Sequence, residues 1–268
     1  MSLSPHADDA PRLAGPVLAI ASGKGGVGKT ALTLALAQAF SARKARTLVV
    51  DADLGMANID VQLGLNPKGD LSSVVAGCLS LEEAVSPAAG GADKRGGFDV
   101  LAGASGSGAL AGLDTGAVGR LAAGVTAASL SYERTLIDLA AGAERSTIRM
   151  AAAADDVVIV INDEPTSLTD AYAFIKTLRL RDEGAAPFVV VNNAPDADAA
   201  RRAYAVLSRT CQSFLGFTPP LAATVRRDAH IPDAIRAQMP LSQRHPDSKA
   251  LKDIAGLARA LERGVETV

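Results

Sequence analysis

One octapeptide restricts this chain more than any other feature. Gly23, Lys24, Gly25, Gly26, Val27, Gly28, Lys29 and Thr30 read GKGGVGKT and meet the phosphate-loop pattern GxxxxGK[ST] at every fixed position. The octapeptide follows an apolar run, Val17 to Ser22, and opens an Ala/Leu-rich segment of helical period, so it joins a strand to a helix. In that setting the glycines let backbone N–H groups turn inward around phosphate oxygens, and the helix N-terminus adds positive dipole character. Lys29 then reaches the β- and γ-phosphates and the Thr30 hydroxyl ligates Mg²⁺. Residue frequencies give about a one per cent chance of such a match in a chain of this length. The octapeptide therefore predicts a nucleotide site.

The rest of the chain alternates short apolar runs with longer helical segments. The predicted strands are Val17 to Ser22, Thr47 to Asp51, Phe98 to Leu101, Thr135 to Asp138, Asp156 to Ile161, Phe188 to Asn192 and Leu221 to Val225. Runs such as VVIVI (157–161) are apolar on consecutive residues, as in strands covered on both faces. The predicted helices are Lys29 to Arg43, Gly116 to Leu130, Arg145 to Ala153, Leu168 to Arg181, Ala199 to Phe214, Ile231 to Gln238 and Leu251 to Arg263. This pattern predicts an α/β fold: a doubly wound, mostly parallel sheet of about seven or eight strands. Residues 86–112 read as loop around one strand. A single domain over 16–268 follows a short extension, 1–15, which has no apolar run.

Composition removes several function classes. Hydrophobic residues at 48% against 21% charged exclude disorder as the dominant state. With 27 Lys+Arg against 29 Asp+Glu, a constitutive DNA binder is disfavoured, and the Arg201/Arg202 and Arg226/Arg227 pairs read as solvated charge. Aromatic residues at 3%, with no Trp, argue against base-stacking platforms. Cys78 and Cys211 lie too far apart for a clustered-cysteine metal site and read as buried small apolar residues. No run reaches the roughly 18 apolar residues of a membrane span, so the expected location is the cytoplasm. His6, His230 and His245 sit in separate segments and carry no predicted chemistry.

Three carboxylates fall where an open α/β sheet places its ligand, at the carboxyl ends of strands: Asp51 and Asp53 in VVDAD, and Asp138 in TLID. A carboxylate accepts protons from water and binds a hard cation through oxygen.

Four segments together carry a resemblance. KGGVGKT with its second lysine, VVDADLGMANIDVQLGL (49–65), TLIDLAAG (135–142) and NDEPTSLTDAYAFIKTL (162–178) resemble the deviant-Walker ATPases of the MinD/ParA family, most of all its flagellar regulators, the FlhG (FleN) proteins. The last segment narrows the likeness, through Pro165, Thr166, Ser167, Thr169, Asp170 and Ala171 of EPTSxTDAY. The resemblance implies the P-loop NTPase fold, ATP/ADP with Mg²⁺, and an ATP-bound homodimer with a partner- or dimer-facing role for that segment. In it Lys24 reaches the partner subunit's phosphates and stabilises developing charge. Lys24, Lys29, Asp53 and Asp138 form the implied catalytic set. Asp53 positions the attacking water, and Thr30, Asp51 and Asp138 hold the metal, the acids through water. Asn192 of VVVNNAP recognises adenine, its amide able to donate and accept. Leu139 and Ala140 replace the family's usual residues after the acid, which puts the rate of hydrolysis in question. Thr166 or Ser167 is placed to cap the helix that follows, with Thr169 and Asp170 in its first turn.

The two ends are less regular. Asp8, Asp9, Ala10 and Leu13 partly match the DQAxxLR motif by which FlhG proteins engage the GTPase FlhF, with Asp9 for Gln and Ala14 for Arg. In the last helix Leu251, Ile254, Ala258, Leu261 and Val265 share one face, which can pack on the domain or meet a membrane at the cell pole. The function implied is an ATP-driven switch controlling flagellar number or placement. A MinD-type division-site regulator, a ParA-like DNA or cargo positioner and a scaffold that binds nucleotide with little hydrolysis stand as alternatives.

Overall fold

The computed structural model describes residues 15–104 and 112–263. In chain order the elements are β1 (Val17–Ser22), α1 (Lys29–Ala42), β2 (Thr47–Ala52), α2 (Ile59–Leu63), α3 (Leu71–Val75), α4 (Leu81–Ala84), β3 (Ser86–Ala88), β4 (Phe98–Leu101), α5 (Thr115–Ser129) and β5 (Arg134–Ala141). They continue with α6 (Arg145–Ala151), β6 (Asp156–Ile161), α7 (Pro165–Arg181), β7 (Phe188–Ala194), α8 (Ala197–Leu215), β8 (Leu221–Arg226), α9 (His230–Arg236), α10 (Leu241–Arg244) and α11 (Lys249–Arg263).

The strands form one sheet in the order β3-β4-β2-β5-β1-β6-β7-β8, parallel throughout except for β3, which runs antiparallel at the edge. All six residues of β1 and of β2 are buried, because helices cover both faces. One face packs Val17, Ala19, Leu48, Val50, Ile137 and Leu139 against α5 to α8. The other packs Leu18, Ile20, Val49 and Leu136 against Leu32, Leu36 and Phe40 of α1 and Ile254 and Leu257 of α11. The chain leaves β1 for one half of the sheet and returns past it to build the other, so the loop after β1 opens at the topological switch point.

All seven predicted strands are present: β1, β4 and β6 keep their predicted bounds, and the ends of β2, β5, β7 and β8 move by one to three residues. The eighth, β3, lies inside 86–112 and gave no alternation; Pro87 is tolerated because an edge strand leaves one side without ladder partners. Four short helices, α2, α3, α4 and α10, fall below the length at which periodicity is readable. Two of them are set by their caps. Asp70 accepts from Ser73 N–H, and Ser80 and Glu83 form a reciprocal capping box.

Helix α7 starts three residues earlier than predicted. Pro165 takes the first helical position, where its fixed φ suits the helix and its missing N–H costs nothing. Thr166 and Ser167 therefore lie within the first turn rather than capping it, and Thr169 and Asp170 fall beyond it. Cys211 is buried as expected, its thiol pushed up to about 11 by burial, whereas Cys78 is exposed on the turn after α3. Two histidines from separate segments become neighbours in the fold. His230 and His245 meet with ring centroids 4.2 Å apart, each bonded to an aspartate, Asp228 and Asp233.

The apolar face of α11 is consumed by the fold, with Ile254 and Ala258 buried and Leu251 and Leu261 packed on the same core. Arg226 grips Asp253 through two nitrogens, and Arg43 holds Glu262. Val265, His6 and the 8–14 motif lie outside the described residues. Among those described, no helix is long and apolar enough to cross a membrane.

Candidate functional site

The P-loop geometry follows from its glycines. Gly26 and Gly28 take φ of +80° and +85°, and a Cβ at Gly25 or Gly26 would meet nothing within 4 Å, so the loop bends around open space. Close approach fixes the other two. A Cβ on Gly23 would lie 2.1 Å from the Asp170 carbonyl carbon of α7, and one on Gly28 would lie 2.5 Å from Asn192 Nδ2. The Ser22 hydroxyl donates to the Lys24 carbonyl at 2.9 Å and closes the base of the turn.

Below the loop lies a buried polar cluster. Asp51 and Asp138 are register partners on β2 and β5, 1% and 2% exposed. Lys29 Nζ donates to Asp138 Oδ1 at 3.0 Å, and the Thr30 hydroxyl donates to Oδ2 at 2.6 Å. Thr33, one turn along α1, places its hydroxyl 3.1 Å from Oδ1. Asp51 accepts from the Asn58 and Ile59 N–H groups, each at 2.9 Å, so it pins the start of α2. Burial pushes the Asp51 carboxyl up to about 6, those backbone bonds oppose it, and the charge of Asp138 adds to the rise.

The Asp53 side chain stands apart from this cluster, although the Asp53 N–H donates to Asp51 Oδ1 at 3.3 Å. It is half-buried on the loop after β2, accepts from Gly55 and Met56 N–H, and lines a cavity of about 230 Å³ with Met56, Leu113, Glu144 and Thr147. Leu139 is fully buried in the opposite core, so this departure from the family pattern is a packing residue whose side chain faces away from the carboxylate pair. Ala140 lines the Asp53 cavity.

Lys24 leaves the loop in the other direction. Its Nζ bonds Glu164 Oε2 and, at 2.8 Å, Thr166 Oγ1 at the start of α7, all on the surface. The Lys24 ammonium holds the Glu164 carboxyl below its ordinary range. The likeness of 162–178 did not predict this contact; Glu164 stood in the motif without an assigned role.

Asn192 is buried and donates from Nδ2 to the Val27 carbonyl at 2.8 Å, which ties β7 to the P-loop. Beside it a cavity of about 100 Å³ is lined by Gly28, Asn193, Asp228, Ile231, Pro232 and Ile254. Burial pushes the Asp228 carboxyl up, but the N–H groups of His230 and Ala250 and the Ser248 hydroxyl outweigh it and hold the group well below the carboxylate range. Asp228 thereby joins the start of α9 to the start of α11 around this cavity.

These residues fit a nucleotide with Mg²⁺. The loop is an open concave arc of backbone ahead of a helix N-terminus, and the donor set beside it is hard oxygen from Thr30, Asp51 and Asp138. Two buried carboxylates in register, with one lysine between them and the loop, leave negative charge that a cation neutralises. Of the predicted residues, the structure brings together Lys29, Thr30, Asp51 and Asp138, sets Asn192 behind the loop, and leaves Asp53 and Lys24 outside the cluster.

Comparison with known proteins identifies the family. Residues 18–241 match the CobQ/CobB/MinD/ParA nucleotide binding domain. The chain is 33% identical over 247 residues to the antiactivator FleN of Pseudomonas aeruginosa, covering 92% of this chain and 86% of that protein. It is 28% identical to the flagellum site-determining protein YlxH of Helicobacter pylori, covering 73% of this chain and 64% of that one. Among solved structures, the septum site-determining protein MinD of Pyrococcus horikoshii complexed with Mg-ADP aligns with a TM-score of 0.78 at 25% identity, covering 93% and 96% of the two chains. The chain belongs to the MinD/ParA nucleotide-binding family and within it is FlhG-like.

Proposed function

We propose that the protein is a slow, Mg²⁺-dependent ATPase that works as a switch: ATP binding joins two copies around two nucleotides, and hydrolysis to ADP and phosphate returns them to monomers. In the cell the reading is FlhG-like control of flagellar number or placement, supported by the likeness to FleN and to the flagellum site-determining YlxH.

The observation that carries the reading is the divergence of two lysines in one loop. Lys29 points inward to Asp138, and Lys24 points outward to an exposed glutamate at the edge of the nucleotide site. Within its own subunit Lys24 meets only solvent-exposed partners, Glu164 and Thr166, and such contacts exchange readily, which supports a role toward a second copy.

When bound, Mg²⁺ neutralises phosphate oxygens during phosphoryl transfer. Thr30, with Asp51 and Asp138 through water, are the residues that would hold it. Lys29 exchanges Asp138 for the β- and γ-phosphate oxygens, and the loop amides from Gly25 to Lys29 hold the remaining charge. Asp53 accepts a proton from the attacking water and orients it. Lys24 exchanges Glu164 for the partner copy's phosphates, which supplies charge in trans in the manner of an arginine finger. Asn192, held on Val27, faces the base side. Turnover in the protein alone is slow, because such switches wait for a partner to complete the site. An FlhF-like GTPase engaging residues 8–14 is the partner the sequence suggests.

Size-exclusion chromatography of the wild type with Mg-ADP and with a non-hydrolysable ATP analogue tests this. A dimer with the analogue and a monomer with ADP is expected. A single species under both conditions overturns the switch. Deleting the gene and counting flagella tests the cellular reading, and unchanged number and placement removes it.

A further inference from the structure

Asp138 is met by three side-chain donors, of which two lie in the P-loop. Lys29 and Thr33 face Oδ1 at 3.0 and 3.1 Å, and Thr30 faces Oδ2 at 2.6 Å. Thr33 is fully buried on the face of α1 that meets β5. Its Oγ1 also lies 3.0 Å from the Lys29 carbonyl, so one hydroxyl proton has two acceptors in reach and can satisfy one at a time. With Lys29 on Oδ1, the Thr33 proton can turn back to the carbonyl four residues earlier, as helical threonines do.

The proposed function takes the other two donors away. Lys29 goes to phosphate and Thr30 to the metal, which leaves a carboxylate only 2% exposed with Thr33 as the remaining member of the trio. With Oδ2 turned to the water through which it would hold the cation, Oδ1 needs a donor of its own, since an unsatisfied oxygen on a buried carboxylate is costly.

We infer that Thr33 is a positioning residue: its hydroxyl turns from the Lys29 carbonyl to Asp138 Oδ1 when the P-loop engages nucleotide, and so keeps Oδ2 turned toward Thr30, the residue with which Asp138 would hold the cation. The inference rests on the nucleotide-site reading. It separates Thr33 from a merely packed threonine, which would be satisfied by the Lys29 carbonyl throughout.

The test is a Mg²⁺ titration of a fluorescent ADP analogue bound to wild type, T33V, T33A and T33S, with thermal melting of each. T33V keeps the shape and removes the hydroxyl. Loss of one charge-assisted hydrogen bond raises the half-saturating Mg²⁺ concentration about tenfold in T33V and T33A, with Mg²⁺-free nucleotide affinity within about twofold of wild type. T33S restores the wild-type Mg²⁺ response to within about threefold. If T33V does not fold, T33A against T33S decides the matter, since each only removes atoms. Equal Mg²⁺ dependence in wild type and the hydroxyl-free variants overturns the inference, as does a parallel loss of Mg²⁺-free affinity and melting temperature that T33S shares. A wild type whose nucleotide binding is absent, or indifferent to Mg²⁺, overturns the nucleotide-site reading itself.

Discussion

Lys24 and Lys29 stand five residues apart in one loop and live in opposite surroundings. Lys29 is 9% exposed and sits on a buried carboxylate; Lys24 is 36% exposed and sits on Glu164, itself more than half in water. The difference separates binding from signalling. A buried ion pair is expensive to break by removing one partner, because the charge left behind has no water. An exposed pair is worth little and exchanges readily for a better partner. The inner lysine is therefore committed to the nucleotide of its own subunit, and the outer one is held where a second copy can take it.

The largest expected effect belongs to the inner lysine. Lys29→Ala leaves Asp138 beside Asp51 without its cation, which costs about 3–5 kcal/mol of stability by analogy with broken buried pairs. Urea unfolding without nucleotide measures this, and fluorescent-nucleotide binding is lost as well. A variant as stable as wild type would show that Lys29 does not neutralise the acids. The comparison sharpens at Asp51. Its raised folded pKa means the native state binds a proton that the unfolded chain has released between about pH 4 and 6. Its contribution is therefore complete below about pH 4 and lost as pH rises through 6. That loss is on the order of 2–3 kcal/mol. Asp51→Asn, compared with wild type in urea melts at pH 4.5 and 7.5, should lose less stability over the interval; parallel curves for the two proteins would contradict the assignment.

Next in size is Asp53, the acid that lies outside the buried cluster. Asp53→Ala should lower turnover about a hundredfold while ATP binding and the analogue-induced dimer survive. Full turnover would remove its role with the attacking water. Lys24→Ala should do the reverse of Lys29→Ala, keeping melting behaviour and monomer nucleotide affinity while weakening the ATP-dependent dimer about tenfold. Light scattering that finds the dimer undiminished would leave Lys24 without a role toward the second copy and end the comparison.

The same contrast explains what was legible in the sequence. The P-loop was readable to the residue because its glycines answer to backbone sterics and its lysine and threonine to ligand chemistry, both local. The parallel strands were readable because burial on both faces forces unbroken apolar runs such as VVIVI. The segment from Ile59 to Ala88 was not, since α2 is pinned by Asp51 from eight residues away and β3 exists only by pairing with β4. The residues around Asp138 were legible in part, though their contacts with it were not. The motif assigns Lys29 to phosphate and Thr30 to Mg²⁺, whereas Thr33 looked like one more helix residue until β5 delivered an acid to it. Likewise, His230 and His245 became neighbours only through the fold around α9 and α10.

The smallest expected effect tests the outer lysine from its other end. If Glu164 merely decorates the surface, neutralising it changes nothing that Lys24 does. If it holds Lys24 within its own subunit until a second copy arrives, Glu164→Gln removes one competitor for the ammonium and keeps the shape of the turn, with Thr166 Oγ1 still in reach. Both partners are well solvated, so the gain is modest: the analogue concentration that half-saturates dimerisation should fall about two- to fivefold, with nucleotide affinity of the monomer unchanged. The effect should shrink as salt screens the pair it removes, so titrations at low and high ionic strength separate it from a change in α7 itself. A weaker dimer in Glu164→Gln would reverse the assignment, because it would place Glu164 among the contacts that the second copy needs rather than among those it displaces.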